Sequence, residues 1–354
     1  MTVALGGLRR RQLPRFSVTI AGVLAASASA LAGESLHWGL VGITIVALVL
    51  FNAGLSLWSR AIEGPRRAAN RLVIGLTWSV VVIALAPLVW LLWEVVRNGV
   101  PAVSWSFLTH DATARLNPTT YKLEPGAGVV HALLGTLLVT LGAATISVPI
   151  GIMAAIYLVE FGNKGKRSLA RALSLLVDVM TGIPSIVAGL FALSLFSIFV
   201  GIGTRSGIMG SIALSLLMVP TVVRSTEEMI RLVPDHLREA AYALGAPRWR
   251  TIVMVVLPTS IGGIITGVML SISRVIGETA PLLVAVGSID VLKTNLFSGR
   301  METLPVYIMD QYRTSTPDGY RNAWGGALVL IAIVMILNLI ARLLGRALAP
   351  KAGR

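Results

Sequence analysis

Two ionisable residues inside an apolar run are the strongest candidates for chemistry in this sequence. Arg274 and Glu278 lie four residues apart within the apolar stretch 258–291. In a continuous helix this spacing places both side chains on one face, close enough to pair. A charged side chain inside a membrane span usually faces a bundle interior or a cavity, because exposure to lipid is costly. Two interpretations stay open. The first is an ion pair that locks two helices. The second is an anion gate in which Arg274 contacts the substrate, and Glu278 holds Arg274 when no substrate is bound.

A second candidate stretch combines an acid with helix-breaking residues. Asp178 is followed by Gly182 and Pro184. Pro184 cannot donate a backbone hydrogen bond, and Gly182 permits unusual backbone angles. Broken helices are tolerated in membranes where they line a cavity, although a plain proline kink is the alternative. The candidate substrate-pathway residues are Arg274, Glu278, Arg224, Asp178 and Ser185, and the candidate helix breaks are Gly182, Pro184, Gly277 and Pro281.

No residue pattern predicts catalysis or metal binding in this chain. Its four histidines are scattered, and the absence of cysteine excludes disulfides and thiolate metal sites. Gly165-Lys166 lacks the upstream glycine and the following Ser or Thr of a nucleotide-binding Walker A loop. The sequence therefore predicts neither an enzyme nor a cofactor or metal held by this chain.

Composition indicates a membrane protein with many spans. Of the 354 residues, 55% are hydrophobic and only 13% are charged, and the mean hydropathy is +0.81. The formal net charge of +14 would also suit a nucleic-acid-binding protein. However, the basic clusters flank apolar runs instead of forming one stripe. The sequence therefore predicts an all-α polytopic bundle.

The apolar runs predict eight membrane spans, and the charges between them predict their orientation. With alternate loops on one side, 21 of the 30 Lys and Arg residues fall on the side of both termini, eight fall opposite, and Arg274 lies within a span. The positive-inside rule then places both termini in the cytoplasm and the loops 94–128 and 292–322 outside. An uncleaved helical hairpin is favoured over a signal peptide for the first two runs. The predicted spans are 16–32, 39–58, 72–93, 129–161, 173–200, 208–223, 258–291 and 324–344.

The segment 234–258, called the coupling loop below, is a polar interlude between two apolar runs. Asp235 suits the first turn of a helix, Gly245 suits a left-handed residue at its end, and Pro247 suits the start of another helix. The pattern predicts two short helices with a turn between them. An ordinary cytoplasmic loop is the other interpretation.

The coupling loop resembles the loop of ATP-binding-cassette importer permeases written EAA-x3-G-x9-I-x-L-P. The only departure is Val255 where the pattern has Ile. In that family the loop forms a helix that docks into a groove of the ATPase subunit, so the resemblance implies a coupling role. The residues that carry it here are Glu239, Ala240, Ala241, Gly245, Leu257 and Pro258.

Three further segments, 182–191, 220–228 and 274–282, resemble the permeases of phosphate importers, and the resemblance covers 129–344. It implies an inner-membrane, six-helix type I importer permease core that carries phosphate inward, to which the N-terminal two-helix hairpin is an addition. The implied partners are a paralogous permease subunit, two copies of an ATPase subunit that hold ATP and Mg, and an external phosphate-binding protein. Another oxyanion such as sulfate or molybdate, or an ATP-independent secondary transporter, stays open as an alternative.

The predicted organisation has four parts. Residues 1–71 form a basic segment and the extra hairpin, 72–128 form the first core helix and an external loop, 129–345 form the permease domain with the coupling loop, and 346–354 form a basic cytoplasmic tail.

Overall fold

The computed structural model describes residues 13–14, 16–35, 39–113, 115–116, 123–124, 126, 128–162 and 167–348. The predicted basic N-terminal segment before residue 13, the lysines of the turn 163–166 and most of the predicted tail lie outside these residues. The described chain is helical apart from loops and one antiparallel ladder that pairs Arg115–Leu116 with Leu123–Glu124. The predicted all-α fold class is therefore confirmed.

The helices of the described residues are numbered in chain order. Two of them run through five-residue π-helical turns, Tyr157–Phe161 and Ile252–Val256. The α-helices are α1 (Ser17–Ser35), α2 (Leu40–Glu63), α3 (Pro65–Gly99), α4 (Trp105–Thr109), α5 (Val130–Ile156), α6 (Arg167–Thr181), α7 (Ser185–Val200), α8 (Gly207–Arg231), α9 (Asp235–Ala243), α10 (Arg248–Thr251), α11 (Leu257–Ile276), α12 (Ala280–Ala285), α13 (Leu304–Arg313) and α14 (Pro317–Leu348).

The first compact unit, Met1–Trp93, contains α1, α2 and most of α3. α1 and α2 pack along each other as the predicted hairpin, so closely that a Cβ on Gly33 would clash with the side chain of Ile43. A buried hydrogen bond of 2.8 Å from Asn52 to Ser79 joins α2 to α3. α3 exposes apolar side chains on all sides, as a lipid-facing helix does.

The second unit, Glu94–Arg354, is built around α8, whose apolar stretch is the most buried of the candidate spans. α5 packs along α8, and the core between them is completed by α7, α11 and α12. Glycines allow these helices to approach closely: a Cβ on Gly151 of α5 would lie 2.6 Å from Val222 of α8. The core therefore depends on close backbone contact as well as on side-chain burial.

The membrane spans differ from the predicted eight in three places. Among the described residues, six helices are long and apolar enough to cross a membrane, and α1 is a shorter apolar helix. The predicted fifth span is broken, since α6 and α7 meet at an angle of 107°. The predicted seventh span ends early, because α11 stops at Ile276 and the short α12 follows.

The bend between α6 and α7 has a local cause. The backbone N–H groups of Gly182 and Ile183 donate to the carbonyls of Val179 and Met180, at 3.0 and 3.3 Å, which tightens the last turn of α6. Pro184 then takes an extended conformation and precedes the first residue of α7. The carbonyl of Met180, to which Pro184 has no N–H to donate, is therefore satisfied by Ile183.

In the coupling loop the first predicted helix is present, but the second is not a separate helix. α9 begins at Asp235, and Gly245 beyond its end has φ +76°, the left-handed conformation expected there. The second short helix is not separate, because α10 passes through the π-helical turn Ile252–Val256 directly into α11. Pro258 lacks the N–H that would bond to the carbonyl of Met254, so the α-helical ladder is interrupted directly after this turn.

Candidate translocation and coupling sites

The two candidate helix breaks are brought together by the contact between α7 and α12. Gly189 of α7 faces the backbone of Pro281, and a Cβ on this glycine would lie 2.7 Å from the Cα of Pro281. Residues 182–184 and 277–279 therefore interrupt two helices that belong to one packed group. This is the arrangement expected of interrupted helices beside a translocation pathway.

Arg274 lies in the last turn of α11 with an exposed side chain. α11 ends at Ile276, and the N–H of Glu278 donates to the carbonyl of Val275 at 3.1 Å, in a turn. The predicted pairing of Arg274 with Glu278 is wrong, because Gly277 ends the helix before Glu278 reaches the same face. Within the described part of the chain Arg274 forms no ion pair.

The ion pairs of this region are formed instead by Asp178, Arg224, Glu227 and Arg231, called the Arg224 cluster. Arg224 of α8 contacts Asp178 of α6, and it donates to Glu227 at 2.7 Å. Glu227 also accepts from Arg231 at 2.7 Å, and its side chain is only 10% exposed. Two candidate pathway residues that lie 46 positions apart are thus direct partners.

The Arg224 cluster has no net charge and fastens α6 to α8. Arg224 also donates to the hydroxyl of Ser174, at 3.1 Å. Its guanidinium is therefore occupied by this chain, in contrast to that of Arg274. Ser185, the remaining candidate, is the half-buried first residue of α7 and has no hydrogen bond from its side chain among the described residues.

The coupling loop is attached to the membrane part through Arg238. Its guanidinium pairs with Glu160 in the first π-helical turn at 3.1 Å, and it donates to the carbonyls of Ile230 and Val233 at 3.0 and 2.6 Å. Those carbonyls lie at the end of α8, where the last carbonyls of a helix lack their regular partners, and Ile230 accepts in addition from the N–H of Val233 at 3.2 Å. α9 is therefore joined to both α8 and the end of α5.

The coupling loop also presents an exposed surface that is unusually apolar. Tyr242, Leu244 and Trp249 are exposed, Leu244 to 89%. The motif residues Glu239, Ala240 and Gly245 are exposed with them, whereas Ala241 and Leu257 are half-buried and Pro258 is exposed at the start of α11. A cavity of about 620 Å³ between α9, α10 and the first π-helical turn adjoins this surface. A surface of this kind suits a protein partner.

A buried polar cluster at the other end of α5 consists of His131, Glu302, Thr303 and Tyr307. All four residues are at least 97% buried. Oε2 of Glu302 accepts from the N–H of Ile289 at 2.6 Å, but Oε1 has no partner, and neither have the ring nitrogens of His131 or the hydroxyls of Thr303 and Tyr307. The rings of His131 and Tyr307 meet edge to face, 5.6 Å apart.

Burial is the main cause that raises the pKa of Glu302 to about 7, and the nearby carboxylates of Asp310 and Asp290 act in the same direction. Burial also raises the pKa of Tyr307. Because Glu302 holds the N–H of Ile289, its ionisation state is linked to the loop that follows α12. An ionised carboxylate in this cluster is unfavourable, since it has lost water and faces other acids.

We expect Glu302→Gln to remove most of the pH dependence of stability near neutrality. The folded-state pKa of about 7 lies above the ordinary value of 4.5. The protonated form therefore favours the fold, and stability falls as pH rises from 4.5 to 7 and then levels off. The full effect is on the order of 3 kcal/mol. Melting temperatures of the purified chain between pH 4 and 8 measure it.

The control for this experiment is Asp318→Asn, which neutralises an exposed acid in the first turn of α14. Its pH profile should run parallel to that of the unchanged protein. Parallel profiles for the Glu302→Gln variant and the unchanged protein would contradict the assignment.

Sequence reasoning missed Arg238, Glu160 and Glu227 of the ionic contacts, and Glu302 and His131 of the buried polar cluster. The signal for Glu160 was available, as it is an acid at the end of a predicted span. For the others the decisive information is burial, which no sequence pattern gave.

The described helices thus form an apolar bundle with two interrupted helices and an exposed loop that Arg238 fastens to it. The chain belongs to the family of binding-protein-dependent transport system inner membrane components, whose sequence model matches residues 147–354. With its apolar helices, this family membership makes it a multi-pass membrane protein.

The named relatives are more specific. The chain is 45% identical over 280 residues to the phosphate transport system permease protein PstA 1 of Mycobacterium tuberculosis (strain ATCC 25618 / H37Rv), which covers 79% of this chain and 88% of the relative. It is 39% identical to the PstA of Yersinia pestis over 279 residues, which covers 79% of this chain and 90% of that relative. A solved structure of the MetNI methionine ABC transporter in inward-facing conformations aligns with a TM-score of 0.47 and 20% identity, over 62% of this chain and 94% of that one.

Proposed function

We propose that this chain is the membrane-spanning permease subunit of an ATP-binding-cassette importer that carries inorganic phosphate inward. The observation that carries the proposal is the 45% identity over 79% of the chain to a phosphate transport system permease. The exposed guanidinium of Arg274 beside two interrupted helices provides a group that can bind an oxyanion.

The proposed machine contains three kinds of partner. Two copies of an ATPase subunit bind ATP and Mg, a paralogous permease completes the pathway, and an external phosphate-binding protein delivers the substrate. The apolar surface of Tyr242, Leu244 and Trp249 on the coupling loop is the proposed contact with one ATPase subunit. ATP hydrolysis is assigned to that partner, and this chain itself performs no catalysis.

The proposed transmission runs through contacts of this chain. A displacement of α9 acts on Arg238, which holds the carbonyls at the end of α8 and the carboxylate of Glu160. α8 carries Arg224, whose contact with Asp178 holds α6. Movement of the coupling loop therefore reaches the interrupted helices through two sets of charged contacts and one rigid helix.

The proposed orientation places the coupling loop in the cytoplasm and residues 292–303 outside. On the proposed external side, three cations have no ion pair within the described residues. Two of them, Arg205 and Arg300, lie beside Gly287. The third is Lys293, beside Gly299. Positive charge at an external mouth attracts anions.

Single cysteines test this orientation, because the chain has none of its own. We expect a cysteine at the exposed position Ser298 to react with an impermeant thiol reagent in intact cells. A cysteine at Leu244 should react only after permeabilisation. The reverse labelling pattern would invert the proposed topology.

Gly245 tests the coupling role. Apart from its own chain neighbours, a Cβ at this position meets no atom of the described residues within 4 Å, so a substitution is limited by φ +76° and by whatever docks there. A non-Gly residue in this conformation costs about 1 kcal/mol or more, least for Asn. We expect Gly245→Asp to leave the chain in the membrane but to abolish co-purification with the ATPase subunit.

Gly245→Asn and Gly245→Ala separate the two causes of that loss. If backbone conformation alone matters, the Asn variant should retain more ATPase than the Ala variant. If the partner needs the space at position 245, both variants should lose bound ATPase, and the variant with the larger Asn should lose more. Full ATPase binding by all three variants would contradict the coupling assignment.

The substrate is tested in a strain that lacks this gene and its neighbours, with the complete system restored. We expect restored uptake of labelled phosphate, no restored uptake of sulfate or molybdate, and no uptake by vesicles without ATP. Uptake of sulfate or molybdate in preference to phosphate would overturn the substrate, and uptake without ATP would overturn the mechanism.

A further inference from the structure

The hairpin unit contains a cavity of about 720 Å³ with a charged end and an apolar wall. Arg67, Asn70 and Arg71 line the charged end, at the beginning of α3. Phe51 of α2, with Ile74 and Trp78 of α3, lines the apolar wall. No residue of this cavity belongs to the translocation or coupling sites.

The charged end is held in place by Glu63, whose side chain is 2% exposed. Its carboxylate accepts two hydrogen bonds from Arg71, at 2.8 and 3.0 Å, and further ones from the hydroxyl of Ser59 and the N–H of Leu13. The four bonds satisfy Glu63 completely. One buried carboxylate therefore fixes the position of Arg71 at the cavity.

The cavity retains donors without acceptors. Arg67 is 3.8 Å from Glu63 and donates no hydrogen bond among the described residues. Nη1 of Arg71 and the amide group of Asn70 likewise have no acceptor within the part of the chain that the structure describes. Two guanidinium groups against one carboxylate leave a net positive charge, so the site is suited to an anion with several oxygen atoms.

The direction of the cavity fits a molecule with a polar head and an apolar tail. Arg67 and Arg71 lie near the corner where α2 ends and α3 begins, whereas Trp78 lies seven residues farther along α3, about 10 Å deeper. The corner carries the basic residues Arg60 and Arg66 as well, which places it at the membrane surface under the positive-inside rule. The apolar wall then lies at the depth of acyl chains.

We propose that this cavity binds one anionic phospholipid, with its phosphate group on Arg67, Asn70 and Arg71 and an acyl chain along Phe51, Ile74 and Trp78. Free inorganic phosphate offers the same oxygen atoms to the charged end. The apolar wall has no role in binding free phosphate, which is why the lipid is the assigned ligand. The inference does not depend on the transported solute.

The test is native mass spectrometry of the purified full-length chain after exchange into phosphatidylcholine that contains a minor fraction of phosphatidylglycerol. We expect one phosphatidylglycerol to be retained preferentially by the unchanged protein. Arg67→Gln should reduce its retention about fivefold, the effect of one cation at an anionic membrane surface. Arg66→Gln makes the same charge change on an exposed side chain outside the cavity and should leave retention within roughly twofold.

A second variant, Ile74→Trp, fills the apolar wall without a change of charge. It should also reduce lipid retention, and millimolar inorganic phosphate should not displace the lipid from the unchanged protein. Displacement by inorganic phosphate, together with normal retention by the Ile74→Trp variant, would assign the site to free phosphate and overturn the lipid. Equal retention of both lipids, or equal retention by the Arg67→Gln and Arg66→Gln variants, would also overturn the proposal.

Discussion

Replacing Arg224 by glutamine is expected to lower both the abundance of the folded chain and its phosphate uptake. The variant leaves Asp178 without its partner and deprives the 10% exposed carboxylate of Glu227 of one of its two guanidinium groups. Loss of one partner of a buried pair costs about 3–5 kcal/mol, and an exposed pair contributes about 1 kcal/mol or less. Since Arg224 is 35% exposed, we expect a loss of about 2 kcal/mol. Melting temperature and membrane abundance measure it.

Two matched variants identify the cause. Arg231→Gln removes the other guanidinium from Glu227, but its side chain is 64% exposed and does not contact α6, so it should have a smaller effect. Arg224→Gln combined with Asp178→Asn leaves no unpaired charge on α6 and should recover only the smaller part of the loss, because Asp178 is 60% exposed and Glu227 still has Arg231 alone. An Arg224→Gln variant with unchanged melting temperature would show that the Arg224 cluster does not fasten α6 to α8.

Replacing Arg274 by glutamine is expected to reduce uptake roughly tenfold to hundredfold without lowering abundance. Arg274 is exposed and has no ion pair within the described residues, so its removal leaves no buried charge uncompensated. A hydrogen bond to a charged group contributes about 1.5–3 kcal/mol, which corresponds to a loss of roughly tenfold to hundredfold in uptake. Arg274→Lys should fail or nearly fail as well, because an ammonium group lacks the planar fork of a guanidinium.

Glu278→Gln is the companion variant, and the geometry of the turn decides what it should do. Because Glu278 is not paired with Arg274, its neutralisation should not change the abundance of the chain, and the double variant should not recover uptake. Wild-type uptake in the double glutamine variant would refute the contact role of Arg274. Low abundance of Arg274→Gln alone would show that Arg274 serves the fold.

The sequence predicted best where one local rule decides the outcome. Gly245 was expected to be left-handed because only glycine adopts that conformation without cost, and the structure has it so. The fold class and the packed pair of α1 and α2 followed from long apolar runs, although α1 is shorter than the helices that qualify as membrane spans. The helix break near Pro184 was also visible, although its angle of 107° was not.

The predictions that failed depend on where a helix ends and on contacts distant in sequence. Arg274 and Glu278 have the spacing of a pair, but Gly277 ends α11 between them. Arg224 and Asp178 were each singled out, yet no periodicity links residues on two helices 46 positions apart. Arg238 lies in a polar stretch typical of a solvated loop. Only its burial against Glu160 shows that it fastens the coupling loop to the bundle.

The π-helical turn Ile252–Val256 sets the direction in which Arg274 points. A π-helical turn contains one residue more than an α-helical turn of the same rise, and one residue corresponds to about 100° of rotation. The face of α10 and the face of α11 are therefore out of phase by about that angle. Removal of one residue from the turn would restore a continuous α-helix and rotate Arg274 by about 100° around the axis of α11. The orientation of Arg274 is thus fixed by a turn that lies about twenty residues earlier in the chain. That turn belongs to the loop on which the ATPase is proposed to act.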